Sequence, residues 1–382
     1  MKKIIRILLV LSALLAFASC ADGGLGEAEA GAGTPPPIIE ESPPETLSPP
    51  EPELYENSYP ALSDVWNFSY FENNTDPFYL SDEAPHGDVS MGHIEFISDN
   101  LYDRVPFSYR ELETAVWIVE ELLAMGYAWD DIKIQEFNWQ DVAQLTVPWT
   151  MIEGQLFEGH ELRQISQNII LTIPGQSTQT IIVGAHYDSW VAPGADDNAS
   201  GTALLLESAL RMLRQEQYYT LVYVFFGAHE IGMLGAYYHL ESLSEEQRDN
   251  LVLMINADVL LGTHFFYRTG FIENYAHAEN NVSQKIHEIA DELRAAYDID
   301  LTFRTVGLDV AMGRDAWLFK NEGFTVLDLV GVNVDEYGEF FGIFIHTELD
   351  CIHHHNEFIP GMAARAMWFF SMFLERALLA VY

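Results

Sequence analysis

Five short stretches of this sequence set imidazoles and carboxylates at the ends of apolar runs or, in one case, in a loop just before a helix. They are His186-Tyr187-Asp188, Asp196-Asp197-Asn198, His229-Glu230, Asp258 and His346-Thr347-Glu348-Leu349-Asp350. Taken singly each is weak, because an acid at the end of a strand usually caps a helix or forms a turn. Together they supply imidazole nitrogens and carboxylate oxygens without cysteine, the donor set that suits Zn²⁺ or a similar divalent ion. Five such donors exceed what one tetrahedral ion needs once water is counted. One bridging carboxylate would let them hold two ions, the arrangement of hydrolytic two-metal sites.

The pattern around them says how they could meet. Residues 180–185, 220–227, 251–258 and 324–330 are continuous apolar, β-rich runs, as expected of strands covered on both faces. Residues 168–173 lead through Pro174-Gly175 towards 180–185, a strand–turn–strand signal. Helical spacing marks 110–125, which Gly126 stops, and also 202–213, 282–296, 315–321 and 362–379. Strands alternating with helices predict an α/β three-layer sandwich: a mostly parallel, mixed central sheet with helices on both faces. Ligands of such sheets bind beyond the carboxyl ends of the strands, which is where these donors fall.

Composition narrows the partners. The 382 residues hold 58 acids against 18 bases, a net charge of −40, which excludes nucleic acid as a ligand. An apolar fraction of 49% places that charge on the surface of a packed body. Cys20 and Cys351 are the two cysteines, so no disulfide framework exists. Residues 1–20 place Lys2, Lys3 and Arg6 before the apolar run 7–18 and then Ala18-Ser19-Cys20. That is the pattern of a secretory signal, too short for the roughly 20 residues of a permanent span. Its end resembles the lipobox of bacterial lipoproteins, in which the cysteine, here Cys20, is acylated; a plain signal cut near Ala21 is the alternative. Residues 21–60 carry nine acids, no base and nine of the 16 prolines, and read as a disordered tether. The expected organisation is therefore leader 1–20, tether 21–60 and one folded domain, 61–382. The domain would be lipid-anchored on the extracytoplasmic face of the membrane, or otherwise secreted.

The ordered donor set, with Gly194-Ala195-Asp196-Asp197-Asn198-Ala199-Ser200-Gly201 and Phe226-Gly227-Ala228-His229-Glu230-Ile231-Gly232, resembles the M28 family of zinc aminopeptidases over roughly residues 90–378. The resemblance implies two Zn²⁺ per chain. His186 and Asp258 would hold one, Glu230 and His346 the other, and Asp197 would bridge them. Asp188 would orient the His186 imidazole, as metal-bound histidines require. The Asn198–Gly201 turn would fix Asp197, and Asp350 would support the site near His346. Asp315 falls where the family often has a Ser-Asp-His turn beside the substrate pocket. The implied activity is removal of the N-terminal residue from peptides by metal-activated water.

One position departs from the family, which places two adjacent glutamates after the second strand. Gly232 fixes the register, so Glu230 takes the ligand position and His229 the position of the general base. An imidazole of reference pKa about 6.5 suits base work near neutrality, although nearby dications disfavour its charged form. Three readings of His229 stay open: an unusual base, a mark of a site that binds metal and peptide with little turnover, or an extra ligand or supporting group. Two other function classes remain: a one-zinc glutaminyl cyclase, and a tethered binding protein without catalysis. The first normally lacks both the intact Asp-Asn-Ala-Ser-Gly turn and the five-ligand set. Among the remaining candidates, His353-His354-His355 reads as a solvated loop and Cys351 as a small side chain without a partner. Trp190 reads as pocket wall or core, the aromatics of 265–275 as lining or packing, and the acids of 335–339 as a rim for a substrate ammonium.

Overall fold

The computed structural model describes residues 84–380 apart from 147, 271–280, 298–300, 306–312 and 336–337. The leader with Cys20 and the tether lie outside the described residues, as do 271–275 and the side chains of 266–270. The side chains of 335–339 are likewise outside them.

Strands follow in chain order as β1 (Ile132–Asn138), β2 (Ile165–Ile173), β3 (Thr180–His186), β4 (Thr220–Phe226) and β5 (Leu251–Ala257). They continue as β6 (His264–Gly270), β7 (Leu301–Thr305), β8 (Val326–Asp335) and β9 (Gly338–Phe341). The main helices are α1 (Asp88–Asn100), α2 (Tyr109–Met125), α3 (Ser200–Met212), α4 (Leu234–Ser242) and α5 (Glu245–Asn250). After them come α6 (Asn281–Tyr297), α7 (Asp315–Asn321), α8 (Ile352–Phe358) and α9 (Met362–Ala380). All nine strands join one sheet, ordered β1-β2-β4-β3-β5-β8-β6-β7, with β9 on the far end of β8.

The four long apolar runs form the parallel centre, β4-β3-β5-β8, so their carboxyl ends open on one edge. Side chains alternate across each strand. Ile182, Val224, Phe226 and Met254 pack on one face with Leu240 of α4 and Trp317 and Phe319 of α7. The opposite parity, including Ile181, Val183, Tyr223, Phe225, Leu253 and Ile255, is equally buried, and α3 packs on that side with α1, α2 and α9 around it. This is the expected three-layer sandwich. Burial on both faces explains why these strands show no polar alternation.

Two expectations need correction. Residues 168–173 and 180–185 are strands, but they do not pair, because β4 lies between them. The loop after Pro174 crosses the start of β4 instead, with Ser177 N–H donating to the Tyr218 carbonyl. Gly175 makes the crossing possible: a Cβ there would overlap the Tyr219 backbone. His346 was expected at the end of a strand. It sits instead in a succession of turns, with Thr347 N–H on the Phe344 carbonyl and Asp350 N–H on the Thr347 carbonyl. Its own φ of 58° is left-handed, a conformation that ends any strand.

Candidate metal centre

His186 is the last residue of β3 and is fully buried. Its Nδ1–H donates to the Asp188 carbonyl at 3.1 Å, while the Asp188 carboxylate lies 3.6 Å from that nitrogen. The carboxylate was expected to orient the imidazole. It stays beside the ring and also accepts the backbone N–H groups of His229 and Glu230, each at 3.0 Å. Asp188 thereby fastens the end of β4 to the end of β3, and its carbonyl sets the His186 tautomer.

The turn from Gly194 to Gly201 is held from three sides. Asp350 accepts the Asp196 and Asp197 amides on its two carboxylate oxygens, at 2.8 and 3.1 Å. The Asn198 side chain donates to the Ala257 carbonyl at 3.0 Å and accepts from Gly201 N–H at 2.9 Å. Gly201 runs so close to the Ala257 carbonyl that a Cβ would collide with it. Arg104, buried before α2, donates to the carbonyls of Tyr187, Pro193 and Gly194 at 2.8, 2.8 and 3.0 Å. One guanidinium thus ties the His186 strand end to the Asp197 turn.

These supports leave the Asp197 carboxylate between two groups. Its Oδ1 is 3.2 Å from His186 Nε2, and its Oδ2 is 3.2 Å from His346 Nε2. Asp258 Oδ1 lies 3.4 Å from His186 Nε2, and Glu230 Oε2 lies 3.2 Å from His346 Nε2. The five anticipated donors therefore converge as two sets that share Asp197. The outer oxygens are occupied: Asp258 Oδ2 by Arg314 at 3.0 Å, and Glu230 Oε1 by Trp190 N–H at 2.8 Å. His186 Nε2 and Asp258 Oδ1 are sealed from water without a hydrogen-bond partner of good geometry. Buried polar atoms left so are costly, and a cation between them satisfies both. The residues present fit divalent ions.

Electrostatics agrees. Burial alone would lower His346, yet hydrogen bonds to Asp197 and Glu230 push its pKa up to about 11. His186 is likewise held well above its ordinary value, against burial, by Asp188, Asp197 and Asp258. Asp197 is held well below the usual carboxylate range, burial notwithstanding, by the two imidazoles. Without an ion, protons supply the positive charge that the carboxylates demand. Zinc must displace them, so its binding at pH 7 will release protons and weaken as pH falls. Calorimetric titration of metal-free protein in buffers of different ionisation enthalpy reads the number released. A buffer-independent heat would contradict this picture.

His229 stacks on His186 with ring centroids 3.8 Å apart and planes 8° apart. A ring nitrogen comes within 4.8 Å of the donor atoms of His186 and Asp258. Proximity is not coordination, however. Lone pairs lie in the ring planes, and two nearly parallel stacked planes share no point at which both lone pairs aim. His229 is therefore arranged beside the donors and not as one of them. Its Nδ1 is 2.9 Å from Oδ1 of Asp315, at the start of α7. Asp315 was expected to face the substrate pocket; it is buried, with that oxygen on the imidazole. Burial and His186 lower the His229 pKa, and Asp315 with Asp258 more than offsets them, so it is raised.

The remaining candidates separate. Trp190 belongs to the site, its ring 5.7 Å from that of His346 and 5.2 Å from that of Phe157. Phe107, Trp139 and Trp149 extend the same apolar cluster. Sequence reasoning missed this wall because the segment between β1 and β2 has no sustained period, although its two tryptophans were a signal. The three successive histidines are not a solvated loop. They lie on α8, whose roughly 100° step per residue sends them apart. His353 is exposed near Asp99, His354 meets the Phe344 ring, and His355 is buried with Nε2 2.9 Å from Asp350 Oδ1. Cys351 is half-buried and free.

Comparison with known proteins gives the family of the chain. The profile of Peptidase family M28 matches residues 168–370, which include all five donors, His229 and Asp315. Leucine aminopeptidase 1 of Uncinocarpus reesii is 28% identical over 214 residues, 51% of this chain and 47% of that protein. The chain spans less than half the length of the curated relatives it matches. Among solved structures, a zinc aminopeptidase from Bacillus subtilis shares the fold with a TM-score of 0.56 at 16% identity, over 76% of this chain and 95% of that one. A Tannerella forsythia glutaminyl cyclase does so with a TM-score of 0.55 at 18% identity, over 77% and 98%. With the family match covering more than half of its length, the chain belongs to peptidase family M28.

Proposed function

We propose that this protein is a zinc-dependent aminopeptidase that removes the N-terminal residue of peptides outside the cytoplasm. The observation that carries the reading is the Asp197 carboxylate, one oxygen turned to His186 and the other to His346. His186 and Asp258 would hold one ion, Glu230 and His346 a second, with Asp197 shared between them. Zinc so bound polarises a carbonyl and makes water acidic enough to attack near neutral pH.

The chain's own residues do the rest. His229, where the family carries a glutamate, takes the proton of the attacking water and returns it to the leaving amine. Asp188 fixes the His229-Glu230 backbone and therefore the placement of both side chains. Trp190 walls the site beside His346 and would pack against an apolar part of the substrate. The excess of carboxylates favours a cationic peptide N-terminus. Residues 1–60 support a location on the outer face of the membrane, held through a lipid on Cys20 and the acidic tether.

The test is hydrolysis of leucine anilides and short peptides by zinc-loaded protein, alongside chelated protein and an N-terminal glutamine peptide. The reading expects release of the first residue, its loss on chelation and its return with zinc. Cyclisation of the glutamine peptide without hydrolysis would favour the glutaminyl-cyclase reading, which the shared fold keeps in play. Inert zinc-loaded protein would leave a binding function. In the native host, Cys20→Ala should move the activity from membranes to the medium.

A further inference from the structure

We infer that Asp315 is the positioning residue that makes the imidazole of His229 usable as a base. The inference rests on the proposed role of His229 and adds to it. A glutamate at this position needs no fixed tautomer, because its two oxygens are equivalent. An imidazole has one lone pair, on whichever nitrogen lacks the proton, and it is useless if that nitrogen faces the protein.

Two contacts remove that ambiguity. A carboxylate oxygen accepts, so Asp315 Oδ1 at 2.9 Å places the proton on His229 Nδ1 and leaves the lone pair on Nε2. His186 covers one face of the ring at 3.8 Å and blocks its rotation. Nε2 has no hydrogen-bond partner among the described residues, and about a tenth of the His229 side chain stays open. Asp315 opens α7 and is buried, its side chain 1% exposed, and Oδ1 is the carboxylate oxygen that has a partner among the described residues. The neighbouring Arg314 holds the β5 end by donating to the Asp258 carbonyl at 2.8 Å. One turn of chain, residues 314–315, therefore registers the imidazole against the donor set. His229 and Asp315 thus form a hydrogen-bonded pair across 86 residues of sequence.

The experiment is a double-mutant cycle on zinc-loaded full-length protein with a leucine anilide, combined with ¹⁵N spectra of labelled histidines. In wild type, the His229 resonances, assigned by their loss in His229→Gln, should show a protonated Nδ1 and a bare Nε2. Asp315→Asn should mix or invert the tautomers and lower kcat on the order of 10²-fold or more, with KM nearly unchanged. In the His229→Glu background the same Asp315→Asn change should cost less than about threefold in kcat. Equal losses in both backgrounds would mean that Asp315 only supports α7, and would overturn the inference. An unchanged tautomer in Asp315→Asn would overturn it too. If wild type is inert but its His229 tautomer is locked by Asp315, the positioning stands and the proposed activity falls. If wild type turns over and Asp315→Asn matches it, the activity stands and the positioning falls.

Discussion

Asp197→Asn will strip the protein of bound zinc and lower kcat/KM by at least about 10³-fold, roughly 4 kcal/mol of transition-state stabilisation. Both donor sets depend on this one carboxylate, whose oxygens sit 3.2 Å from His186 and from His346. Asparagine keeps the shape but offers one oxygen, no charge and an N–H₂ that would face a cation. The turn should survive the change, because Asp350 and Asn198 hold it through backbone groups and not through the Asp197 side chain. Metal analysis after gel filtration, with circular dichroism as a check on folding, reads the outcome. A folded variant that retains all its zinc would contradict the shared role of Asp197.

The second large effect concerns stability. Glu207 on α3 is fully buried and accepts N–H from Gly87 and Ser90 at 2.8 and 2.9 Å. It also accepts the hydroxyls of Ser90 and Ser371 and two guanidinium contacts from Arg211, the shorter at 2.7 Å. One carboxylate thus joins the start of α1, the middle of α3 and α9. Alanine here would bury Arg211 without its acid and leave the first amides of α1 without their acceptor. Glu207→Ala should cost about 3–5 kcal/mol.

Its pH dependence follows from the direction of the shift. Burial alone would raise the Glu207 carboxyl, but Ser371, Ser90, Gly87 and Arg211 together hold it below its ordinary 4.5. A depressed folded value means that the stabilisation is complete above the unfolded value and is lost as pH falls through the folded one. Wild type should therefore lose stability on acidification below about pH 4.5, through a component that Glu207→Gln lacks. Urea unfolding at pH 7 and pH 4 measures both effects. A loss under 1 kcal/mol for the alanine variant at pH 7 would refute the hub.

His186, Glu230 and Asp258 were legible because each follows an apolar run, and a run buried on both faces announces itself without its partners. That is why His186, Glu230 and Asp258 could be placed on one edge before any coordinates. The strand order was not legible: β4 separates β2 from β3 through a loop crossing that depends on Gly175 meeting the Tyr219 backbone. β1 escaped notice because it is half exposed and mixes Lys133, Gln135 and Glu136 into its length. The His353–His355 stretch misled because a helix of seven residues is too short to show a period. Glu207 offered a faint signal, an acid within the apolar 203–210 run with Arg211 one turn on, but its other partners lie over a hundred residues away. The His229–Asp315 pair had none beyond the departure at His229 and the altered turn around Asp315. Long-range polar pairing is set by the fold, and sequence spacing does not record it.

The central claim is that two ions sit on either side of Asp197, with His229 beside them and not bonded to them. Anomalous diffraction at the zinc edge from crystals of zinc-loaded protein tests it directly. The account predicts two peaks, one shared by Asp197, His186 and Asp258 and one by Asp197, Glu230 and His346, with His229 held by Asp315. A single peak bonded to His229, or zinc only at a surface site such as His353, would contradict it.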